Sequence, residues 1–279
     1  MINILVPTDF SDAAKKALEY AVFVAKKTKA KLVILHIYHI PVISAIRSYA
    51  PSPEKVREDA RLAEEKLNNL ENEMMGLNEI NYSTKSLPMY WLTEIPDIIQ
   101  DQHADLIIMG TNGASGLKKV ILGSNTAKVI DISVCPVLAV PVNAKCTKIE
   151  NIGFAIDREF VEHLTTFDFL VWFVKQFNAL VDIFHVNGPD QDIDHGPHQI
   201  NINRLREYLD TIEHSYNEIA DKDVEAGIQQ YVQEKNIDLL ALMHRSRGLF
   251  ERLFKKSISE TLSYHASTPL LVISEKKFG

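Results

Sequence analysis

The chain has 279 residues, 46% hydrophobic and 24% charged, and a formal net charge of −7. That length suits two ordinary domains, each burying its own core, and the balance excludes disordered and fibrous classes. An acidic chain with dispersed aromatic residues lacks the clustered Lys and Arg that phosphate neutralisation requires, so nucleic acid is not an expected partner. The two cysteines, Cys135 and Cys146, form neither a disulfide framework nor a CxxC pair. Met1 leads directly into an apolar run with no basic leader, and no apolar run reaches the ~20 residues of a membrane span. The expected compartment is the cytoplasm, with no membrane span.

In chain order, Ile2 to Val6 is a continuous apolar run of the kind buried on both faces in a parallel sheet. Pro7-Thr8-Asp9 breaks it, and Ser11 offers an N-cap oxygen. Ala14, Ala17, Leu18, Ala21, Val22 and Ala25 then recur at helical spacing. Leu32 to Ile37 reads as a second strand. Ser52-Pro53 opens a charged helix that Gly76 can end. A strand is predicted around Tyr82 to Ser86, a helix with Pro96 in its first turn runs to about Gln102, and Leu106 to Met109 is another buried strand. Ser124 to Ser133 reads as helix and Val137 to Val140 as strand. Short strands alternating with helices imply βαβ units and a parallel sheet.

The same order then begins again. Ile152 to Ile156 ends in Asp157 as the first strand ends in Asp9, and Phe160 to Phe177 reads as helix. Phe184-His185-Val186 answers Leu35-His36-Ile37. Asp238-Leu239-Leu240 answers Asp105-Leu106-Ile107, and Thr268-Pro269-Leu270 answers Cys135-Pro136-Val137. The pattern indicates an internal duplication with a boundary between about Asn143 and Glu150, giving domains 1–143 and 150–279. Asn187 to His198 reads as a polar loop. Within it, His195-Gly196-Pro197-His198 matches no standard metal-ligand spacing.

Of the chain's 11 glycines, Gly110, Gly113, Gly116 and Gly123 fall in one stretch between a strand and a helix. Glycine admits positive φ and lets another group approach the backbone. A helix N-terminus beyond such a loop presents unpaired N–H groups and partial positive charge, which suits an anion. The stretch is not a P-loop, because Lys118 lacks the following Ser or Thr, and no GxGxxG follows the first strand. On spacing alone, a ligand-free connection and an anion site both remain open.

Gly110-x-x-Gly113, nine residues, then Gly123-Ser124 resembles the ATP-binding signature of the universal stress protein family. Pro7-Thr8-Asp9-Phe10-Ser11, Leu35-His36-Ile37 and Cys135-Pro136-Val137-Leu138 resemble that family's first turn, second strand and last strand. The resemblance implies an α/β fold of two tandem doubly wound domains, each with a five-stranded parallel sheet flanked by helices. It implies that Asp9 and the Pro7-Thr8 backbone hold the adenosine end of ATP, with Ile37 at the adenine. Met109, Gly110, Asn112 and Gly113 would line the ribose and phosphate path, and Gly123, Ser124 and Asn125 would grip the phosphates. Asn112 stands where many members have His and keeps hydrogen-bonding capacity. The expected cofactor is ATP, with or without Mg2+, or another adenine nucleotide. The two domains are expected to pack as an internal pseudo-dimer, an arrangement that also permits a homodimer.

In the second half, Leu242 is set opposite Gly110, Arg245 opposite Gly113 and Lys256 opposite Gly123, so only the first half is expected to bind ATP. Arg245, Arg247, Arg252, Lys255 and Lys256 make that second loop basic. No general base or arginine finger is recognisable, so catalytic residues are not assigned and any ATP hydrolysis should be slow. The alternative is a tandem scaffold that binds protein partners and no nucleotide.

Overall fold

A computed structural model describes residues 1–39, 53–89, 94–111, 123–156, 164–187, 196–244 and 267–274. The first half runs β1 (Asn3–Thr8), α1 (Asp12–Thr28), β2 (Lys31–His39), α2 (Pro53–Glu73), β3 (Tyr82–Met89), α3 (Ile95–Asp101), β4 (Leu106–Gly110), α4 (Ser124–Ile132) and β5 (Val137–Val140). The second runs β6 (Asn151–Ile156), α5 (Asp168–Phe177), β7 (Leu180–Asn187), α6 (Gly196–Leu209), β8 (His214–Ala220), α7 (Val224–Glu234), β9 (Leu239–His244) and β10 (Leu270–Ser274).

Local chemistry accounts for the element ends. The Ser11 hydroxyl accepts from the Ala14 N–H at 3.3 Å and caps α1, and Lys29 closes it in the left-handed region. Asp223 caps α7 by accepting from Glu225 and Ala226. Two predicted boundaries move. The stretch predicted as helix from Phe160 contains a 3-10 turn at Leu164–Phe167, and the α-helix proper begins at Asp168. The predicted polar loop ends early, since Gly196 to His198 already form the start of α6. Pro197 needs no N–H in a first turn, so it opens the helix instead of breaking it.

The ten strands among the described residues form one sheet in the order β3-β2-β1-β4-β5-β10-β9-β6-β7-β8. Within each half the described strands pair in parallel. The halves join through an antiparallel β5–β10 pair centred on Leu138 and Leu271, which are equivalent residues of the two halves. Alternate strand residues feed two cores. Ile4, Val6, Ile34 and Leu106 pack with α1, α2, α5 and α6 on one face, whereas Leu5, Val33, Ile107 and Met109 pack with α3, α4 and α7 on the other. Full burial of each such aliphatic side chain contributes roughly 1.5–3 kcal/mol.

The duplication extends to single hydrogen bonds. The Asp105 carboxylate accepts from the Asn3 N–H at 2.8 Å, and the Asp238 carboxylate accepts from the Asn151 N–H at 3.1 Å. His36 Nδ1 lies 2.8 Å from the Thr8 carbonyl and His185 Nδ1 lies 2.8 Å from the Ile156 carbonyl. A carbonyl can only accept, so each imidazole carries its proton on Nδ1. Positive φ recurs at Lys29 and Asn178, and again at His103 and Asn236.

Candidate functional site

In the first half β1 lies between β2 and β4, so the chain leaves it in opposite directions across the sheet. The carboxyl ends of β1 and β4 therefore border a topological switch point, where open α/β sheets hold ligands. Pro7 and the buried Thr8 end β1, and the exposed Asp9 begins the turn. Asp9 Oδ1 accepts from the Ser11 N–H at 2.9 Å, and Thr8 Oγ1 accepts from the Phe10 N–H at 3.0 Å. Phe10 is held at φ 64°, a conformation costing roughly 1–2 kcal/mol for an L-residue. Its ring lies 4.8 Å from that of His36, and the Lys66 ammonium lies 5.2 Å from its centroid. Phe10 and His36 thus fix the turn that presents Asp9. The sequence had marked neither as a site residue, because nothing local reveals a backbone held by a ring from the next strand.

Met109 is buried at the end of β4, and Gly110 follows it at the surface of the crevice. A Cβ on Gly110 would stand 2.3 Å from the Ala13 carbonyl oxygen and 2.5 Å from its carbon. Gly110 is therefore required by the close approach of α1 to β4. The nearest backbone to Gly110 is thus the protein's own, a packing role that the sequence did not reveal. Thr126, buried in α4, donates from Oγ1 to the Gly110 carbonyl at 2.9 Å and pins the helix start to the strand end. Gly123 is the buried N-cap of α4 and supplies no capping side chain. Ser124 and Asn125 are exposed, and the first turn has no acidic residue. This helix start can receive an anion through its N–H groups and the Ser124 hydroxyl. Ile37, half-buried, packs at the edge of the α3, α4 and α7 core. Asn112 and Gly113 lie outside the described residues.

In the second half, strand register identifies the equivalents. Gly110 pairs with Val140, and Met243 pairs with Ile273. Met243, not Leu242, is thus the counterpart of Gly110. Leu242 points to the α7 side of the sheet, while Met243 fills the α5 side. Setting Leu242 opposite Gly110 was one residue out of step with the Asp105–Asp238 and Pro136–Pro269 landmarks, which the strand register follows. The α-helix α5 has 10 residues and α1 has 17, and both end at equivalent left-handed caps, Asn178 and Lys29. Asp157, Arg245, Arg247, Arg252, Lys255 and Lys256 lie outside the described residues. The last residue of β9, His244, is buried, and its Nε2 lies 3.1 Å from Asp131 Oδ1 on α4, a contact between the halves.

Among the described residues no three His, Cys, Asp or Glu side chains gather as metal ligands, and no helix is long and apolar enough to cross a membrane. Cys135 and Cys146 are unpaired thiols. The model of the universal stress protein family matches the chain twice, over residues 1–141 and 148–274. Universal stress protein MJ0577 of Methanocaldococcus jannaschii is 35% identical over 152 residues, half of this chain and 93% of that protein. YxiE of Bacillus subtilis is 34% identical over 147 residues, half of this chain and 97% of that protein. The crystal structure of a universal stress protein from Archaeoglobus fulgidus shares the fold with a TM-score of 0.73 at 19% identity, covering 98% of each chain. The chain belongs to the universal stress protein family, as a tandem of two family units.

Proposed function

We propose that this protein is an ATP-binding stress or regulatory protein whose nucleotide site lies in the first half alone, within domain 1–143. The observation that carries the reading is the junction of β1, β4 and α4. The fixed Asp9 turn, Gly110 and the uncapped start of α4 meet there at the switch point, on the half that carries the full glycine signature. Asp9 with the Pro7-Thr8 backbone and Ile37 would receive the nucleoside. Met109, Gly110, Asn112 and Gly113 would line the path to the phosphates, and Gly123, Ser124 and Asn125 would hold them, with Mg2+ as a companion ion. The domain 150–279 would serve as the partner unit. The β5–β10 pairing supports reading the chain as an internal pseudo-dimer. The unpaired thiols suit the cytoplasm.

The test is calorimetry with ATP, together with the nucleotide content of freshly purified protein. The parent should bind ATP, and Gly113→Arg, which puts a bulky charged side chain into the glycine signature, should weaken it roughly 100-fold or more. Equal binding by the variant would refute the site, and a parent that carries no nucleotide and gives no heat with ATP would fit a tandem scaffold instead.

A further inference from the structure

At the other end of the first half's sheet, the starts of β1, β4 and β5 border a cleft of about 540 Å³ that α5 of the second half closes on one side. Its floor is apolar, with Ile99, Ala104 and Val134. Phe169 and Trp172 form the α5 wall, half-buried and with ring centroids 5.4 Å apart. Asp105 and Asp168, both exposed, stand on the rim. Asp105 accepts from the Asn3 N–H through Oδ2, and Asp168 accepts from the Tyr208 hydroxyl through Oδ1, which leaves each a second oxygen. No Lys or Arg is among the described residues lining the cleft, whose other ionisable groups are the His103 imidazole and the Cys135 thiol. Burial pushes that thiol up to about 12, so it is inert.

The equivalent end of the second half shows what such carboxylates take. Counted back from the helix caps, Phe169 corresponds to Tyr20 and Asp168 to Glu19, while Asp105 corresponds to Asp238. Tyr20 is fully buried there. Glu19 is paired with the Lys16 ammonium at 2.8 Å. Lys148, from the connection between the halves, is held protonated by Glu150 and also by the field of Asp238. One end of the molecule therefore meets its carboxylates with its own lysines, beside a filled core. The other presents the equivalent acids on an open aromatic cleft.

We propose that this cleft binds a small organic cation with an apolar body, an aryl- or alkylammonium. The body would lie on Val134, Ile99 and the Trp172 ring, and the ammonium would sit at the rim near Asp105 and Asp168. Aromatic faces and carboxylates both favour a cation, and the lining offers no fixed positive charge to an anion. The site is independent of the nucleotide site and uses residues of both halves.

Phenethylammonium titrated by calorimetry should bind with a Kd on the order of 1 mM or below, and its anionic analogue 3-phenylpropionate at least about tenfold more weakly. Asp168→Asn, at an exposed position, should weaken phenethylammonium several-fold (roughly 3- to 10-fold), and Trp172→Ala about tenfold, with ATP binding unchanged in both. The proposal is overturned by the absence of binding at concentrations roughly tenfold above that Kd. Equal binding of the anion, or a Kd indifferent to both substitutions, overturns it equally.

Discussion

The ends of β4 and β9 occupy equivalent places in the two halves, yet they are built on opposite principles. At β4 a glycine lets the long helix α1 come within contact of the strand backbone, and Thr126 ties the next helix to that glycine's carbonyl. At β9 a buried methionine stands in the place of that glycine and joins the core. Close helix–strand packing leaves a backbone-lined crevice with an open helix start, whereas a filled strand end leaves core. One sheet with nearly repeated hydrogen bonding thus supports two different surfaces.

The largest effect should follow from exchanging these residues. Gly110→Met places a Cβ alone at 2.3 Å from the Ala13 carbonyl oxygen, and more atoms beyond it. It should cost about 3 kcal/mol or more in denaturant unfolding and abolish ATP binding. The reverse change, Met243→Gly, should cost about 2–4 kcal/mol through a cavity and strand flexibility and leave ATP binding intact. A Gly110→Met protein of parental stability would break the comparison.

A subtler exchange concerns His36 and His185, which make the same bond to the preceding strand. Replacing either by Leu should cost about 1 kcal/mol. Only His36→Leu should also lower ATP affinity, by roughly 3- to 10-fold, because only His36 supports the Phe10 turn beside Asp9. Matched losses of affinity in the two variants would show that the turn is not the link.

The smallest effect belongs to Cys135, whose counterpart is Thr268. Burial holds the Cys135 pKa near 12 in the folded state, above its ordinary value of 9.0. The folded state therefore keeps a proton that the unfolded chain loses, and stability contributed below pH 9 is lost as pH rises towards 12. Cys135→Thr should flatten that decline by at most about 1.4 kcal/mol per pH unit, measured by denaturant midpoints at alkaline pH. An unchanged pH slope would assign the decline to buried tyrosines such as Tyr20, whose hydroxyl burial also raises.

Much of the fold was legible because its signals are local. Apolar runs such as Leu106 to Met109, the Ser11 cap and the Ala-rich face of α1 specify strand, cap and helix from neighbours within a few residues. The edge strand β8 carried no such signal, since its side chains are only partly buried and few are apolar. The glycine cluster was legible as a place where backbone must be approached. What approaches Gly110 was not, because Ala13 lies far from it in sequence.

By itself, the sequence determined two α/β units in tandem, their family and the half that carries the glycine signature, since periodicity, turn chemistry and internal repetition are written in residue order. Only the tertiary structure decided that the units share one sheet through β5 and β10, that Ala13 crowds Gly110, and that an acidic aromatic cleft opens between Val134 and Trp172. Those outcomes depend on register and on contacts between distant segments. Residue order does not name the partner of an edge strand or the helix that will approach a glycine, so packing had to choose.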